Sequence, residues 1–185
     1  MTAWVEQFAH FARPVLNLPL VRRTRRNHGL EHATIHLLSN RIKDLRMAGR
    51  STDAGFVLLG EAPTEQVEAA VRDALRRMRD GEHHLAIHPN CGTNLVTTGT
   101  MTSLAAMLSL MGASRRDLMN RLPTLMILMM GALLFSQPLG LSLQKNVTTD
   151  GDPADMEIIS IKRSEMRTPL SSEPLTVHRV VTRSS

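Results

Sequence analysis

The run Asn94-Leu-Val-Thr-Thr-Gly-Thr-Met-Thr-Ser-Leu-Ala-Ala-Met-Leu-Ser-Leu-Met-Gly-Ala113 contains no charged residue. Arg115, Arg116, Asp117 and Arg121 interrupt it, and the stretch from Leu122 to Leu143 is uncharged again, with Leu125-Met-Ile-Leu-Met-Met-Gly-Ala-Leu-Leu-Phe135 at its centre. Each run is about 20 residues, or about 30 Å as a helix, which matches a bilayer's hydrocarbon core. The second run is strongly apolar. The first is rich in Thr, whose hydroxyls can bond back to their own helix and so tolerate lipid when they face a partner helix. A soluble core of this size would need more rings to bury both runs, and only 3% of the chain is aromatic. Residues 94–143 therefore predict a two-helix transmembrane hairpin.

The rest of the chain has soluble character. Of its 185 residues, 22 are Lys or Arg and 17 are Asp or Glu, for a net charge of +5, and most of that charge lies outside the hairpin. Gly55-Phe-Val-Leu-Leu-Gly60 is a short apolar strand closed by glycine. Pro63 opens a helix on which Val67, Ala70, Val71, Ala74, Leu75 and Met78 share one face, and Gly81 stops it. His84–His88 reads as a second short strand, ended by the turn Pro89-Asn90-Cys91-Gly92. Residues 156–162 and 176–182 also have strand character. The expected fold class is α+β, a small mixed sheet with packed helices built from residues 28–93 and 144–185, with the transmembrane hairpin inserted. Residues 1–27 read as an amphipathic, interfacial segment interrupted by Pro14 and Pro19 and followed by the basic run Arg22–Arg26. Within Met1–Leu20, the residues Glu6, His10, Arg13, Pro14 and Asn17 leave no apolar core of the signal-peptide type.

Two motifs carry chemistry. His28-Gly29-Leu30-Glu31-His32 lies in a helical stretch expected at 28–43, where Leu30, Ala33, Leu37 and Leu38 form the apolar stripe. His28 and His32 stand one turn apart and project the same way, so both can reach one Zn²⁺. Glu31 sits beside them as a candidate general base, the pattern of the reversed-order zinc peptidases. His36 extends the same stripe by a turn. The second motif is His88-Pro89-Asn90-Cys91-Gly92, in which an imidazole and the chain's one thiol can also ligate a borderline-soft cation. A polar helix face and a buried small hydrophobe are the bland readings of the same residues.

The two motifs in this order, His28-Gly29-Leu30-Glu31-His32 and then His88-Pro89-Asn90-Cys91-Gly92-Thr93-Asn94 leading into a hydrophobic run, resemble the YqhQ-like bacterial membrane proteins or a smaller sister family of them. In that family the segments run H-G-A-E-H and H-P-R-C-G-T-S, so Leu30, Asn90 and Asn94 are departures. The resemblance covers residues 27–112. It implies a metal-dependent enzyme whose reaction is not established, with His28, His32, His88 and Cys91 joined in one metal site and Glu31 as base.

The expectation is thus a membrane-anchored hydrolase with a catalytic zinc, which must leave a coordination position open. The alternative is a non-catalytic integral membrane protein whose closed metal site or His–Glu cluster pins the first helix, with a role in assembly or lipid binding. Convergence of all four candidate ligands without a cleft would favour the alternative. The expected partners are the lipid bilayer and a second copy through the transmembrane helices. The clusters Arg22–Arg26 and Arg76–Arg79 are read as headgroup-facing or solvated rather than nucleic-acid-binding, because no nucleic-acid module accompanies them. Localisation is expected in the cell membrane with the main domain cytoplasmic.

Overall fold

The computed structural model describes residues 3–114, 117–167 and 174–185. Two helices open the chain, α1 (Ala3–Leu16) and α2 (Pro19–Arg41). A hairpin follows, β1 (Ala48–Thr52) and β2 (Gly55–Leu59), then α3 (Thr64–Arg79). Helices α4 (Gly92–Leu110) and α5 (Leu118–Leu143) come next, and β3 (Glu157–Met166) and β4 (Leu175–Arg183) close the fold. The sheet order is β1-β2-β4-β3.

Every pairing in the sheet is antiparallel, so the expected mixed sheet is corrected. No crossover joins its strands in parallel: β1 and β2 meet through a tight turn, and β4 inserts beside β2 after a long excursion through three helices. The inner face of the sheet presents Phe56, Leu58 and Val180 to one side of α2 (Leu30, Ala33, Leu37, Leu38) and one side of α3 (Val67, Ala70, Val71, Ala74, Leu75, Met78). All of these are buried, which accounts for the period of the apolar residues in both helices. Arg41 of α2 and Arg76 and Arg77 of α3 converge on Asp73, tying the outer ends of the two helices together. The hydrogen bond from Arg76 and the charge of Arg77 hold the Asp73 carboxyl below its ordinary range. A depressed native pKa stabilises at pH values above the carboxylate's unfolded value, and the stabilisation fades as pH falls through the native one. Asp73→Asn is expected to lower stability at neutral pH by about 1 kcal/mol or less, given solvent screening, and to flatten the acid limb of a pH–denaturation profile.

Three local readings change. Helix α2 starts at Pro19, nine residues before the expected position, because proline at the first helical position fits the helix rather than breaking it. The segment expected as a strand at His84–His88 is instead a single 3₁₀ turn, His83–Ala86, with Leu85 and Ala86 buried side by side. Strand β1, Ala-Gly-Arg-Ser-Thr, is a polar edge strand that the sequence reading did not include.

Helices α4 and α5 lie antiparallel. Thr98 bonds to Ser136, Gln144 to Asn94, and Arg121 to the Ser109 and Met111 carbonyls at the far end. The buried residues of the pair are small or polar, among them Thr97 and Ser109 on α4 and Ala132, Ser136 and Gly140 on α5, while Met101, Leu110, Leu125 and Met129 are half-buried. Of the expected pair of spans, one helical stretch among the described residues, Leu118–Thr148, is long and apolar enough to cross a membrane. At 19 residues α4 is long enough, but its many hydroxyls leave it short of that standard in apolar character. Arg115 and Arg116, read as charges of the hairpin loop, lie outside the described residues.

Candidate metal centre

Helix α2 places His28, Glu31 and His32 on neighbouring turns facing the start of α4. There Cys91 is the N-cap residue, and its sulfur accepts a hydrogen bond from the Thr93 amide at 3.3 Å. One ligand atom each from His28, His32 and Cys91 falls within 4.8 Å of the others. The His28 Nε2–Cys91 Sγ separation is 3.5 Å. Two such donors bound to one tetrahedral Zn²⁺ would stand about 3.5 Å apart, given Zn–N near 2.0 Å and Zn–S near 2.3 Å.

The tautomers follow from the partners of the other ring nitrogens. His28 Nδ1 lies 3.0 Å from the Thr148 carbonyl oxygen and His32 Nδ1 lies 2.8 Å from that of Ala86. A carbonyl oxygen can only accept, so both Nδ1 atoms carry a proton, and in the neutral ring each Nε2 offers its lone pair. This carbonyl-oriented arrangement is the usual support of a metal-binding histidine. Burial alone would lower the His28 pKa, but its contact with Cys91, the Thr148 carbonyl and the nearby Glu31 carboxylate outweigh it and raise the value. Burial likewise pushes the Cys91 thiol up, yet hydrogen bonds donated by the His28 and His32 rings when Nε2 is protonated, and by the Thr93 amide, bring it down to about 5. The N-terminus of α4 adds a positive field at the same sulfur. These contacts favour the Cys91 thiolate, the form that binds metal.

Glu31 is 4% exposed and accepts a hydrogen bond from the Ser51 hydroxyl. Burial raises its pKa, opposed by Ser51 and the two imidazoles. Its carboxylate occupies the space a side chain at Gly49 would take: a Cβ there would lie 2.1 Å from Glu31 Oε1. Strand β1 thus supplies both the donor and the vacant position that hold the acid in place. A cleft of about 660 Å³ opens over the cluster, bounded by Thr24 on α2, Met47, Arg50 and Ser51 around β1, and Asn90 and Thr93 at the α4 end.

His88 sits beside the cluster. Its ring centroid is 6.0 Å from that of His32, and its Nδ1 accepts from the Asn90 amide at 3.2 Å. Burial, followed by the neighbouring His32 and His36, lowers its pKa. His36 is exposed on α2, one turn beyond the cluster. The residues that sequence reasoning missed are Ser51 and Gly49, the Thr148 and Ala86 carbonyls, and Gln144. The fully buried Gln144 accepts from the His88 amide at 3.0 Å and donates to Asn94 at 2.9 Å.

An uncharacterized protein of Picosynechococcus sp. is 38% identical over 88 residues, which make up 43% of this chain and 43% of that protein. The matched part is thus less than half the length of that relative. No solved structure matches the chain. The family model for a domain of unknown function, DUF6391, matches residues 23–161. That range takes in α2 from its basic run onward, the whole cluster, both long helices and the first part of β3, and the chain belongs to this family.

Proposed function

We propose that the protein is a membrane-anchored, metal-dependent hydrolase that holds a zinc-type cation on His28, His32 and Cys91 and uses Glu31 as general base. The observation that carries this reading is the convergence of three donor atoms, two imidazole nitrogens and one cysteine sulfur, at the wall of an open cleft. Two nitrogens and a sulfur suit Zn²⁺ better than hard cations, and three protein ligands leave the coordination position that catalysis requires. The resemblance of both motifs to YqhQ-like membrane proteins points the same way. A cation bound there would supply Lewis acidity to a carbonyl or phosphoryl oxygen and acidify water. Glu31 lines the cleft beside the donors and does not share their convergence point, as a base rather than a ligand should. Its raised pKa brings it closer to neutrality, where a general base works best.

The anchor is read from how α4 and α5 are built. The side chains they bury are small or polar, while Leu104, Met107, Leu108, Met126, Ile127, Met130, Leu134 and Phe135 point outward and are more than half exposed. Helix contacts in lipid are enriched in small residues, which fits the small side chains this pair buries and the large ones it leaves outside.

Elemental analysis of the detergent-purified full chain tests the metal site. Wild type and Glu31→Gln are expected to carry bound metal, and His32→Ala and Cys91→Ala to lose it. Equal metal content in all four would overturn the proposal. The Cys91–His28 contact supports a second reading, a thiolate–imidazolium pair acting as a metal-free nucleophile. In that case wild type would contain no metal, and His28→Ala would slow alkylation of Cys91 at neutral pH.

A further inference from the structure

Helix α1 sorts its residues into three stripes. Val5, Ala9, Ala12 and Leu16 are buried or half-buried, and the helix packs against the Gln144–Thr148 turn that ends α5. Glu6, Gln7, His10, Arg13 and Asn17 form a polar stripe on the far side. Between them runs Trp4, Phe8, Phe11 and Val15, at the i, i+4, i+7, i+11 spacing of one helix face. These four are 53%, 52%, 84% and 59% exposed, and Leu18 and Leu20 continue the run at 52% and 62%. The protein's one Trp and two of its four Phe thus stand in solvent next to the root of α5.

The basic run that follows is short of partners. Arg25 donates to the Thr149 carbonyl, and Arg26 pairs with Asp155 and the Ser185 carbonyl. Arg22 and Arg23 are half-exposed and make no ion pair among the described residues. Four cations within five residues, two of them without an ion pair among the described residues, favour an anionic surface.

We infer that α1 lies in the surface of an anionic bilayer, with Trp4, Phe8, Phe11 and Val15 in the boundary between headgroups and acyl chains, and Arg22 and Arg23 toward lipid phosphates. An amphipathic helix of this kind sinks about 5–10 Å below the headgroups, the depth that Trp favours. A sheet-like partner or a second copy would cover the apolar stripe equally well but would leave the arginines unanswered; the charge selects the lipid.

The inference rests on the membrane-anchored part of the proposal above, so the experiment reads the two separately. The full chain is reconstituted in vesicles of phosphatidylcholine and phosphatidylglycerol in equal parts. Flotation reports the anchor, and the single tryptophan reports α1. Quenching of Trp4 by lipids brominated at a shallow acyl position is expected to exceed, severalfold, quenching by lipids brominated near the chain end. Phe8→Ser/Phe11→Ser should abolish it without changing flotation. Arg22→Gln/Arg23→Gln should reduce it to the level seen in phosphatidylcholine alone. Floating protein whose Trp4 is unquenched by either lipid overturns the inference and leaves the anchor standing. A blue-shifted but lipid-insensitive emission does so too, because protein rather than lipid then covers the ring. Equal quenching in both vesicle types overturns the headgroup contact. Failure to float removes both.

Discussion

Gly29→Val is expected to destabilise the fold by about 3 kcal/mol, more than any other single change to the site's surroundings. A Cβ at this position would lie 2.3 Å from the Asp150 carbonyl oxygen and 3.2 Å from the Ala86 Cβ. The obstacle is backbone, and it is not free to move. The Asp150 amide donates to the Arg25 carbonyl at 3.0 Å, and Thr149 is bonded to Gln144 through both its amide and its hydroxyl. Pushing the loop away also pulls the Thr148 carbonyl from His28, and shifting Ala86 pulls its carbonyl from His32. Overpacking costs about 1–3 kcal/mol. Each buried hydrogen bond that loses its partner adds about 1 kcal/mol or more. For a chain of this length about 3 kcal/mol corresponds to a fall of roughly 6–12 °C in the thermal midpoint, which circular dichroism of the detergent-purified protein would register. The control is Gly131→Ala in α5, where no atom lies within 4 Å of the added Cβ. That substitution should change stability by about 1 kcal/mol at most, in the stabilising direction. If the two variants melted together, the close approach of α2 to the Asp150 loop would not be a requirement of the fold.

The position of Gly29 also shows where sequence reading reaches its limit. The glycine stands inside the His28–His32 motif and was visible from the outset, but its reason, a loop 121 residues downstream, was not. Features that depend on spacing along one element were legible. The apolar period of Val67–Met78 predicts α3, the glycine-bounded run at 55–60 predicts β2, and the i, i+4 placement of His28 and His32 predicts that their rings meet. Features set by pairing between elements were not. Nothing in Ala48–Thr52 marks it as a strand, because an edge strand with an exposed face needs no apolar alternation; β2 recruits it through the ladder. The carbonyls of Ala86 and Thr148 could not be foreseen, since every residue offers one. Ser51 and Gly49 belong with them: a serine and a glycine in a polar stretch gain meaning only when Glu31 is placed between them. The antiparallel sheet was lost for a similar reason. β4 adds beside β2 only after the two long helices, and strand direction is not encoded in the hydrophobicity of Leu175–Arg183.

Zn²⁺ added to metal-stripped protein is expected to raise the thermal midpoint, and His88 decides what that result means. A ligand present at a thousand times its dissociation constant stabilises the native state by about 4 kcal/mol. In a chain of this size that amounts to about 8–16 °C. His28→Ala and Cys91→Ala should abolish the response, because each removes a donor from a pair already 3.5 Å apart. His88→Ala should keep most of it. With Nδ1 of His88 accepting from the Asn90 amide, the ring proton sits on Nε2, so no lone pair is offered to the cluster without breaking that bond. The backbone of His88 is held in turn by Gln144, which fixes the loop rather than letting the ring swing in. Three ligands would leave a coordination position open, and the 660 Å³ cleft that Glu31 also lines lies over the three donors. A full loss of the zinc response in His88→Ala would mean that the loop does move and closes a four-ligand cage. The cation would then be a staple between α2 and the root of α4, and the protein would be read as an integral membrane protein with a structural metal instead of a hydrolase. One substitution on a residue at the margin of the cluster therefore separates catalysis from architecture.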